Sequence, residues 1–241
     1  MNKTLIYDWP TRIFHWLFAG MFIAAFFIAK TFDDDSAVYP YHMLLGLSMA
    51  YIVILRIMWG LIGSRNAKFS SLTLKPKDLV NYLKGVLYSK NQINGAHNPA
   101  SSWIALIMMF LTLGLAVTGY LMTMSLYKEL VEEIHELLAN AFIVAAVMHV
   151  SGIILHTYRF RDGISLSMIN GKKNIDLPNE AEINHTYRFA GAIFFVMFLG
   201  FILFLNNNYD RQKQNLTVLN KSFQLGELEN NEKGENEAED D

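Results

Sequence analysis

The sequence predicts an all-α integral membrane protein: an up-down bundle of four spanning helices followed by a fifth C-terminal spanning helix. Hydrophobic residues make up 52% of the 241 residues, and charged residues make up only 17%. Five apolar stretches are long enough, or nearly so, to cross a bilayer, which takes about 20 helical residues. These stretches cover residues 13–29, 41–62, 103–124, 137–156 and 189–205.

The distribution of charge predicts the orientation of these helices. The N-terminus and the connections 63–102 and 157–188 together hold 13 Lys and Arg residues. The short connections 30–40 and 125–136 hold two, with seven acidic residues. Because basic loops stay in the cytoplasm, we expect the N-terminus in the cytoplasm and the C-terminus on the opposite side of the membrane. The first stretch resembles a signal peptide, but no convincing cleavage site follows it, so we interpret it as a retained helix.

The chain is expected to divide into three regions: a bundle domain over residues 1–173, a connection with the fifth helix over 174–205, and a tail over 206–241. The tail holds nine acidic and four basic residues, a composition typical of disorder. Its acidity would suit a basic partner such as a soluble cytochrome, although a solvated tail without a partner is the simpler alternative. With a net charge of −2, nothing predicts nucleic-acid binding.

Two local patterns complete the outline of the helices. Asn98 and Pro99 provide an N-cap residue and a proline at the first helical position, which predicts a helix start before the third spanning stretch. Residues 75–87 form an amphipathic pattern with an apolar face. We expect this segment to lie on the inner membrane surface.

Histidines within the apolar stretches point to a buried site. His135 and His149 lie fourteen residues apart, which in a helix is about 1400° of rotation and about 21 Å of rise. Their imidazoles therefore project within about 40° of each other at two depths. His15 and His42 lie at matching depths on other stretches, and ionisable side chains in lipid are usually functional. We predict the pairs His15 with His149 and His42 with His135.

Two imidazoles facing each other at each of two depths suit the axial ligands of two haems. The chain contains no cysteine, which excludes disulfides, iron–sulfur clusters and covalent haem attachment. We therefore predict two non-covalent b-type haems. Iron with two imidazole ligands has no open position, so the expected chemistry is electron transfer. The alternative for each histidine is an interfacial or helix-packing role.

Four further residues are candidates for binding the haems. Arg56 lies fourteen residues after His42 and so faces the same side of its helix, where a haem propionate would pair with it. Its alternative is to extend to the membrane surface. Arg12 is a weaker propionate candidate. Gly46 and Gly152 would let a flat macrocycle approach the backbone, although glycine also serves ordinary helix packing.

The remaining histidines carry weaker signals. His97 precedes the Asn98 cap on the cytoplasmic side, where it could exchange a proton with a quinone oxygen. A loop histidine without such a role is the alternative. His156 lies at the expected membrane edge with no matching histidine on another helix, and His185 lies in a polar connection. Neither is a predicted site residue.

Several motifs resemble the bacterial cytochrome b561 and nickel-hydrogenase b-type cytochrome family over roughly residues 5–173. The matching segments are YDWPTRIFHW at 7–16, His42 to Arg56 with Gly46, WG at 59–60, GSR at 63–65, GAHNP at 95–99, TG at 118–119, EIHE at 133–136 with Asn140, HV at 149–150 and INGKK at 169–173. The resemblance implies a four-helix di-haem cytochrome that exchanges electrons with the quinone pool and a redox partner. It also places His15, His42, His135 and His149 on the axial positions.

The sequence thus predicts an inner-membrane di-haem cytochrome b that carries electrons between quinone and an extracytoplasmic partner, such as a cytochrome c or a dehydrogenase- or hydrogenase-like subunit. Two alternatives stay open. In one, the outer haem takes electrons directly from a small molecule such as superoxide and reduces quinone unaided. In the other, the protein is a haem-free transport or interaction module whose histidines bind a metal or carry protons.

Overall fold

The computed structural model describes residues 2–88, 97–124, 127–175 and 182–225, and this part of the chain is mainly helical. Its α-helices are α1 Trp9–Thr31, α2 Pro40–Ile62, α3 Pro76–Tyr88, α4 Pro99–Met122, α5 Lys128–Phe160, α6 Ile164–Asn170 and α7 Arg188–Asn208. Its strands are β1 Asn2–Leu5, β2 Lys172–Ile175, β3 Tyr209–Asp210, β4 Asn215–Val218 and β5 Lys221–Gln224. The helices α1, α2, α4, α5 and α7 are long and apolar enough to cross a membrane.

These five helices confirm the predicted spanning stretches, and each begins before the predicted start, although α4 ends at Met122, two residues before the predicted end. The largest extension is in α5, which has 33 residues and is about 50 Å long. Glu, Leu and Lys before the apolar part are good helix formers, so the helix continues outside the apolar region. As a result, His135 lies two turns inside α5, whereas the sequence pattern placed it at the start of the helix.

The spanning helices form a bundle in which neighbours in sequence pack against each other. Helix α1 packs on α2, α2 on α4 and α4 on α5, while α7 packs on α1 and α2 from outside. The buried core contains ten residues, namely Phe18, Met21, Met49, Ile52, Val53, Leu55, Met109, Phe142, Phe194 and Phe198. Large apolar side chains such as Phe110 and Phe189 are exposed on the outside, as a membrane-embedded surface requires.

Side-chain caps fix where two helices begin. The Asp8 carboxylate accepts a hydrogen bond from the Thr11 amide at 2.9 Å at the start of α1. The Asn98 side chain accepts one from the Ser101 amide at 2.7 Å at the start of α4. Pro99 follows at the first helical position, so the predicted start of this helix is confirmed. We call the bundle end where α1 and α4 begin the proximal end, and the opposite end the distal end.

Short elements close the proximal end. Strand β1 pairs antiparallel with β2, which brings the N-terminal segment against the chain that follows α6. Helix α3 confirms the predicted amphipathic segment. Its Tyr82 and Val86 are buried, while Val80, Leu83 and Leu87 are exposed. An exposed apolar row on a helix outside the bundle is typical of a helix at a membrane interface.

The distal end corrects the expectation for residues 206–241. Residues 206–208 belong to α7, and strands β3, β4 and β5 form an antiparallel sheet in the order β3–β4–β5. The expectation of disorder relied on acidic residues, most of which lie after Leu225 and outside the described residues. Within the sheet, Tyr209 and Leu216 are buried together with Leu225, and this apolar side is sufficient to order the segment against the bundle.

Candidate functional site

The distal end of the bundle holds the first of two histidine pairs. His42 in the first turn of α2 and His135 on α5 have ring centroids 6.4 Å apart, with an angle of 71° between the ring planes. Both residues are partly buried. The two helices therefore direct an imidazole at the same point between them, as the sequence pattern predicted.

The proximal part of the bundle holds the second pair. His15 on α1 and His149 on α5 have ring centroids 6.5 Å apart, at an interplanar angle of 55°. A ring nitrogen of His15, Nδ1, is buried and has no hydrogen-bond partner within the described residues. Helix α5 thus contributes one histidine to each pair, and the structure brings together both of the predicted pairs.

The spacing within each pair suits two imidazoles on opposite sides of one metal ion. A metal–imidazole bond of about 2.0–2.1 Å on each side gives ring centroids about 6 Å apart. A bare transition-metal ion would need further ligands from the protein. Among the described residues there is no group of three or more histidine, cysteine, aspartate or glutamate side chains arranged to hold one. A macrocycle that supplies its own equatorial nitrogens fits two-histidine sites better.

Hydrogen bonds fix the orientation of both distal imidazoles. His42 Nδ1 lies 2.9 Å from the carbonyl oxygen of Ala25, which only accepts, so Nδ1 carries the proton. His135 Nδ1 lies 2.8 Å from Thr118 Oγ1, a hydroxyl that donates its own proton to backbone carbonyls of α4. His135 Nδ1 is therefore also the donor. In both rings Nε2 is left with a free lone pair, which is the state required to bind a metal.

The glycines chosen from the sequence face open space. A Cβ atom added at Gly46, one turn after His42, would meet no atom within 4 Å, and the same holds for Gly152 near His149. In contrast, a Cβ at Gly119 would lie 3.6 Å from Cε1 of His135. Gly46 is half-buried, so the space beside it suits the edge of a flat cofactor, whereas Gly152 is exposed and its open side does not indicate such a space.

The arginines chosen from the sequence differ in their surroundings. Arg56 is buried, its guanidinium lies 5.5 Å from the centre of the Phe69 ring, and its Nη1 has no hydrogen-bond partner within the described part of the chain. A buried cationic nitrogen of this kind needs an acceptor, so the side chain fits an anionic propionate. Arg12 stacks on Trp9 and donates to the carbonyl of Met168 at 3.4 Å, which makes it the weaker candidate.

A cluster of phenylalanines separates the two histidine pairs. Phe142 on α5 lies seven residues after His135 and seven before His149, and only 1% of its surface is exposed. Its ring centroid is 4.6 Å from that of Phe22 and 6.0 Å from that of Phe18, both on α1. The region between the pairs is therefore filled by aromatic side chains.

The structure also shows a polar network at the proximal end that the sequence did not predict. His156 is buried; its Nδ1 lies 2.7 Å from the Tyr82 hydroxyl and its Nε2 lies 2.9 Å from Asp162 Oδ2. Lys173 Nζ lies 3.0 Å from the same carboxylate oxygen. A histidine without a matching histidine gave no sign of this network, because the other members come from α3, the connection between α5 and α6, and β2.

Electrostatics within this network favour a charged carboxylate. Burial alone would raise the pKa of Asp162. The hydrogen bond from His156 and the ammonium of Lys173 have the larger combined effect in the opposite direction, so the pKa is lowered to about 2. Burial raises the pKa of Tyr82 to about 12, and the charge of Asp162 adds to this effect. At neutral pH the network therefore contains the phenol of Tyr82 and the carboxylate of Asp162, both hydrogen-bonded to His156.

The structure places His97 apart from this network. Its Nε2 lies 2.7 Å from the carbonyl oxygen of Asn66, and its ring lies against that of Tyr7 at 5.7 Å. Because a carbonyl oxygen only accepts, Nε2 carries the proton. Burial lowers the pKa of His97. The residue thus links the loop before α4 to the loop after α2.

Comparison with known proteins identifies a family for most of this bundle. The family model described as prokaryotic cytochrome b561 matches residues 6–171, a region that contains all four paired histidines and ends before α7. No curated protein and no solved structure matches the chain.

Proposed function

Because this chain belongs to the prokaryotic cytochrome b561 family, we propose that it is a di-haem cytochrome of the bacterial inner membrane that carries electrons between the quinone pool and an extracytoplasmic redox partner. As a member of this family it is a membrane b-type cytochrome that functions in electron transfer. The proposal of two haems depends on one observation: two histidine pairs with ring separations of 6.4 and 6.5 Å.

Each pair would bind one haem through its two imidazoles. His42 and His135 would hold the distal haem, and His15 and His149 the proximal haem. The haem iron, when bound, supplies a one-electron redox couple. The protein supplies oriented imidazoles and, through Arg56, a positive charge beside the proximal haem. With both axial positions taken by histidine, the site favours electron transfer over oxygen activation.

The aromatic cluster around Phe142 supports electron transfer from one haem to the other. The two α5 histidines are fourteen residues apart, which is about 21 Å along the helix axis. Phe142 and Phe22 exclude water from the space between them. A dry, closely packed interior limits the rearrangement of solvent that would accompany each change of charge.

We place the exchange with quinone at the proximal end. Reduction of a quinone to a quinol takes up two electrons and two protons. The network of Tyr82, His156 and Asp162 provides titratable groups at this end of the bundle, with Asp162 held as the anion. His97, the candidate from the sequence, lies at the same end, but its Nε2–H already donates to Asn66. Asp162, held as the anion, and Tyr82, with a pKa of about 12, do not themselves exchange protons near pH 7. His156, which is hydrogen-bonded to both of them through its two ring nitrogens, is therefore the better candidate to pass a proton towards the quinone.

We place the soluble partner at the distal end. The loops there expose Asp33, Asp34 and Asp35 between α1 and α2, and Glu129, Glu132 and Glu133 at the start of α5. An acidic rim attracts a partner with a basic surface and accelerates the encounter. A cytochrome c or a dehydrogenase- or hydrogenase-like subunit with a basic docking face would meet this requirement.

The decisive experiment is to count haems per chain in the purified wild-type protein and in single histidine variants. Pyridine haemochrome stoichiometry should give two haems for the wild type. His42→Ala and His135→Ala should each remove the distal haem and retain the proximal one, while His15→Ala and His149→Ala should do the reverse. His185→Ala, in a polar connection, is the matched control and should retain both. A single haem in the wild type, or a colourless protein, would contradict the proposal.

A further inference from the structure

The C-terminal sheet of β3, β4 and β5 lies outside the matched family region, which ends at residue 171. It follows directly on α7, whose last residue is Asn208. Neither the histidine pairs nor the proximal network includes any residue of this sheet. Its position on the bundle nevertheless relates it to the distal pair.

The buried side of the sheet packs on the first turns of α2. Tyr209, Leu216 and Leu225 form a buried cluster with Leu205 of α7. The α2 residues packed against this cluster are Tyr41, Met43, Leu44 and Leu47. The rings of Tyr209 and Tyr41 are 6.0 Å apart. The sheet therefore covers the part of α2 that carries His42.

The far edge of the sheet reaches α4. The ring centroid of Phe223 on β5 is 5.6 Å from that of Tyr120. Tyr120 lies two residues after Thr118, whose hydroxyl is hydrogen-bonded to His135. The sheet thus contacts α2 beside His42 and α4 beside Thr118, the residue that orients His135. It bridges the two helices at the depth of this pair.

From this arrangement we infer that the sheet is a specificity element: it covers the approach to the distal haem between α2 and α4 and restricts electron exchange with small water-soluble molecules. The inference rests on the proposed function, since it needs a haem on His42 and His135. The apolar layer formed by the buried Tyr209 and Leu216 and the half-buried Phe223 excludes water and hydrophilic solutes from this route. Electrons then enter or leave the distal haem through a partner that docks on the exposed acidic loops before α2 and at the start of α5.

Two substitutions on one strand separate this role from a general effect on charge. Leu216 is buried and the next residue, Thr217, is exposed. Leu216→Asp places an unpaired carboxylate in the buried cluster on which Tyr41 and Met43 pack, so the sheet must move off α2. Thr217→Asp adds the same charge on the solvent side and should leave the sheet in place.

The position of the sheet can be measured without reference to haem, because the chain contains no cysteine. Leu205→Cys places a thiol in the buried cluster beneath the sheet, where Leu205 is 4% exposed, and Leu219→Cys places one at the tip of the β4–β5 hairpin, where Leu219 is 93% exposed. In proteoliposomes, labelling of Leu219→Cys by a membrane-impermeant maleimide gives the fraction of chains with the distal end outward. Leu205→Cys should label at least about tenfold faster with Leu216→Asp than with Thr217→Asp, because a buried thiol reacts only while the sheet is open.

Haem reduction is then followed in the same proteoliposomes with dithionite added outside. Leu216→Asp should accelerate reduction of the distal haem several-fold over Thr217→Asp and the wild type, which should match each other. Faster labelling without faster reduction would overturn the inference, and so would equal labelling in both variants. Loss of the distal haem in Leu216→Asp would also overturn it, because the sheet would then be part of the haem fold. A wild type without haem would instead contradict the proposed function, whatever the labelling rates.

Discussion

The ring of Phe142 on α5 lies 4.6 Å from the ring of Phe22 on α1, between the two histidine pairs. This contact joins two helices that both carry a proposed haem ligand of the proximal pair, and it does so at a buried position. The same side chains therefore stabilise the bundle and fill the path between the proposed redox centres. The first prediction follows from this double role.

Phe142→Ala should both weaken the fold and slow transfer between the haems. Replacing a buried phenylalanine by alanine costs about 3–5 kcal/mol in a packed core, so the thermal midpoint in detergent should fall clearly. Flash-initiated reduction of one haem should then show slower equilibration with the other. Phe110→Ala, at a lipid-facing position of α4 that is 76% exposed, is the control and should change neither quantity. Unchanged equilibration in Phe142→Ala would exclude the cluster from the electron path.

Thr118→Val should raise the reduction potential of the distal haem. The hydroxyl accepts a hydrogen bond from His135 Nδ1–H, which makes the imidazole a stronger electron donor and favours the oxidised iron. Removing this acceptor weakens the donation. A redox titration of the distal haem tests the expected upward shift. Thr112→Val removes a hydroxyl that, within the described part of the chain, bonds only to the Met108 carbonyl on the same helix, and its titration should match that of the wild type.

Arg56→Leu should lower the reduction potential of the proximal haem. A fixed positive charge favours the reduced form, which carries one positive charge fewer on the iron, so its removal favours the oxidised form. Arg56→Lys should restore most of the potential because it retains the charge. Arg65→Leu, at an exposed position after α2, is the control. Identical titrations for Arg56→Leu and the wild type would rule out a propionate contact by this arginine.

Asp162→Asn should remove an acid-sensitive part of the stability. The folded-state pKa of Asp162, about 2, lies below the ordinary aspartate value of about 3.9. A carboxyl with a depressed folded pKa contributes stability that is present above the unfolded pKa and is lost as pH falls through the folded pKa. The contribution of about 2 kcal/mol is therefore complete above about pH 4 and disappears towards pH 2.

Thermal midpoints of the purified protein between pH 2 and pH 7 measure this effect. The wild type should lose stability below pH 4 more steeply than Asp162→Asn, and the variant should be less stable at pH 7 because Lys173 loses its carboxylate partner. Asp210→Asn, at an exposed position of the distal sheet, is the matched control. Parallel pH curves for the wild type and Asp162→Asn would contradict the assigned charge state.

Periodicity and spacing were sufficient to predict the spanning helices, the start of α4 at Pro99, the amphipathic α3 and the two histidine pairs. The helices could be predicted because each depends only on its own segment of sequence. The histidine pairs could be predicted because a helix has a fixed rise and rotation per residue, which places residues fourteen apart, such as His135 and His149, on the same face. The pairing of His15 with His149 also needed only the topology, since antiparallel spans place known positions at the same depth.

The amino-acid sequence by itself determined the membrane bundle and the depths at which its histidines lie, because apolar length and helical geometry are local properties. Only the tertiary structure revealed the network of His156 with Tyr82 and Asp162 and the sheet that covers the start of α2. Their members come from segments far apart in the chain, and such contacts depend on how separate elements pack. For the same reason the acidic composition of the tail concealed the few apolar residues, among them Leu216, that order the sheet against the bundle.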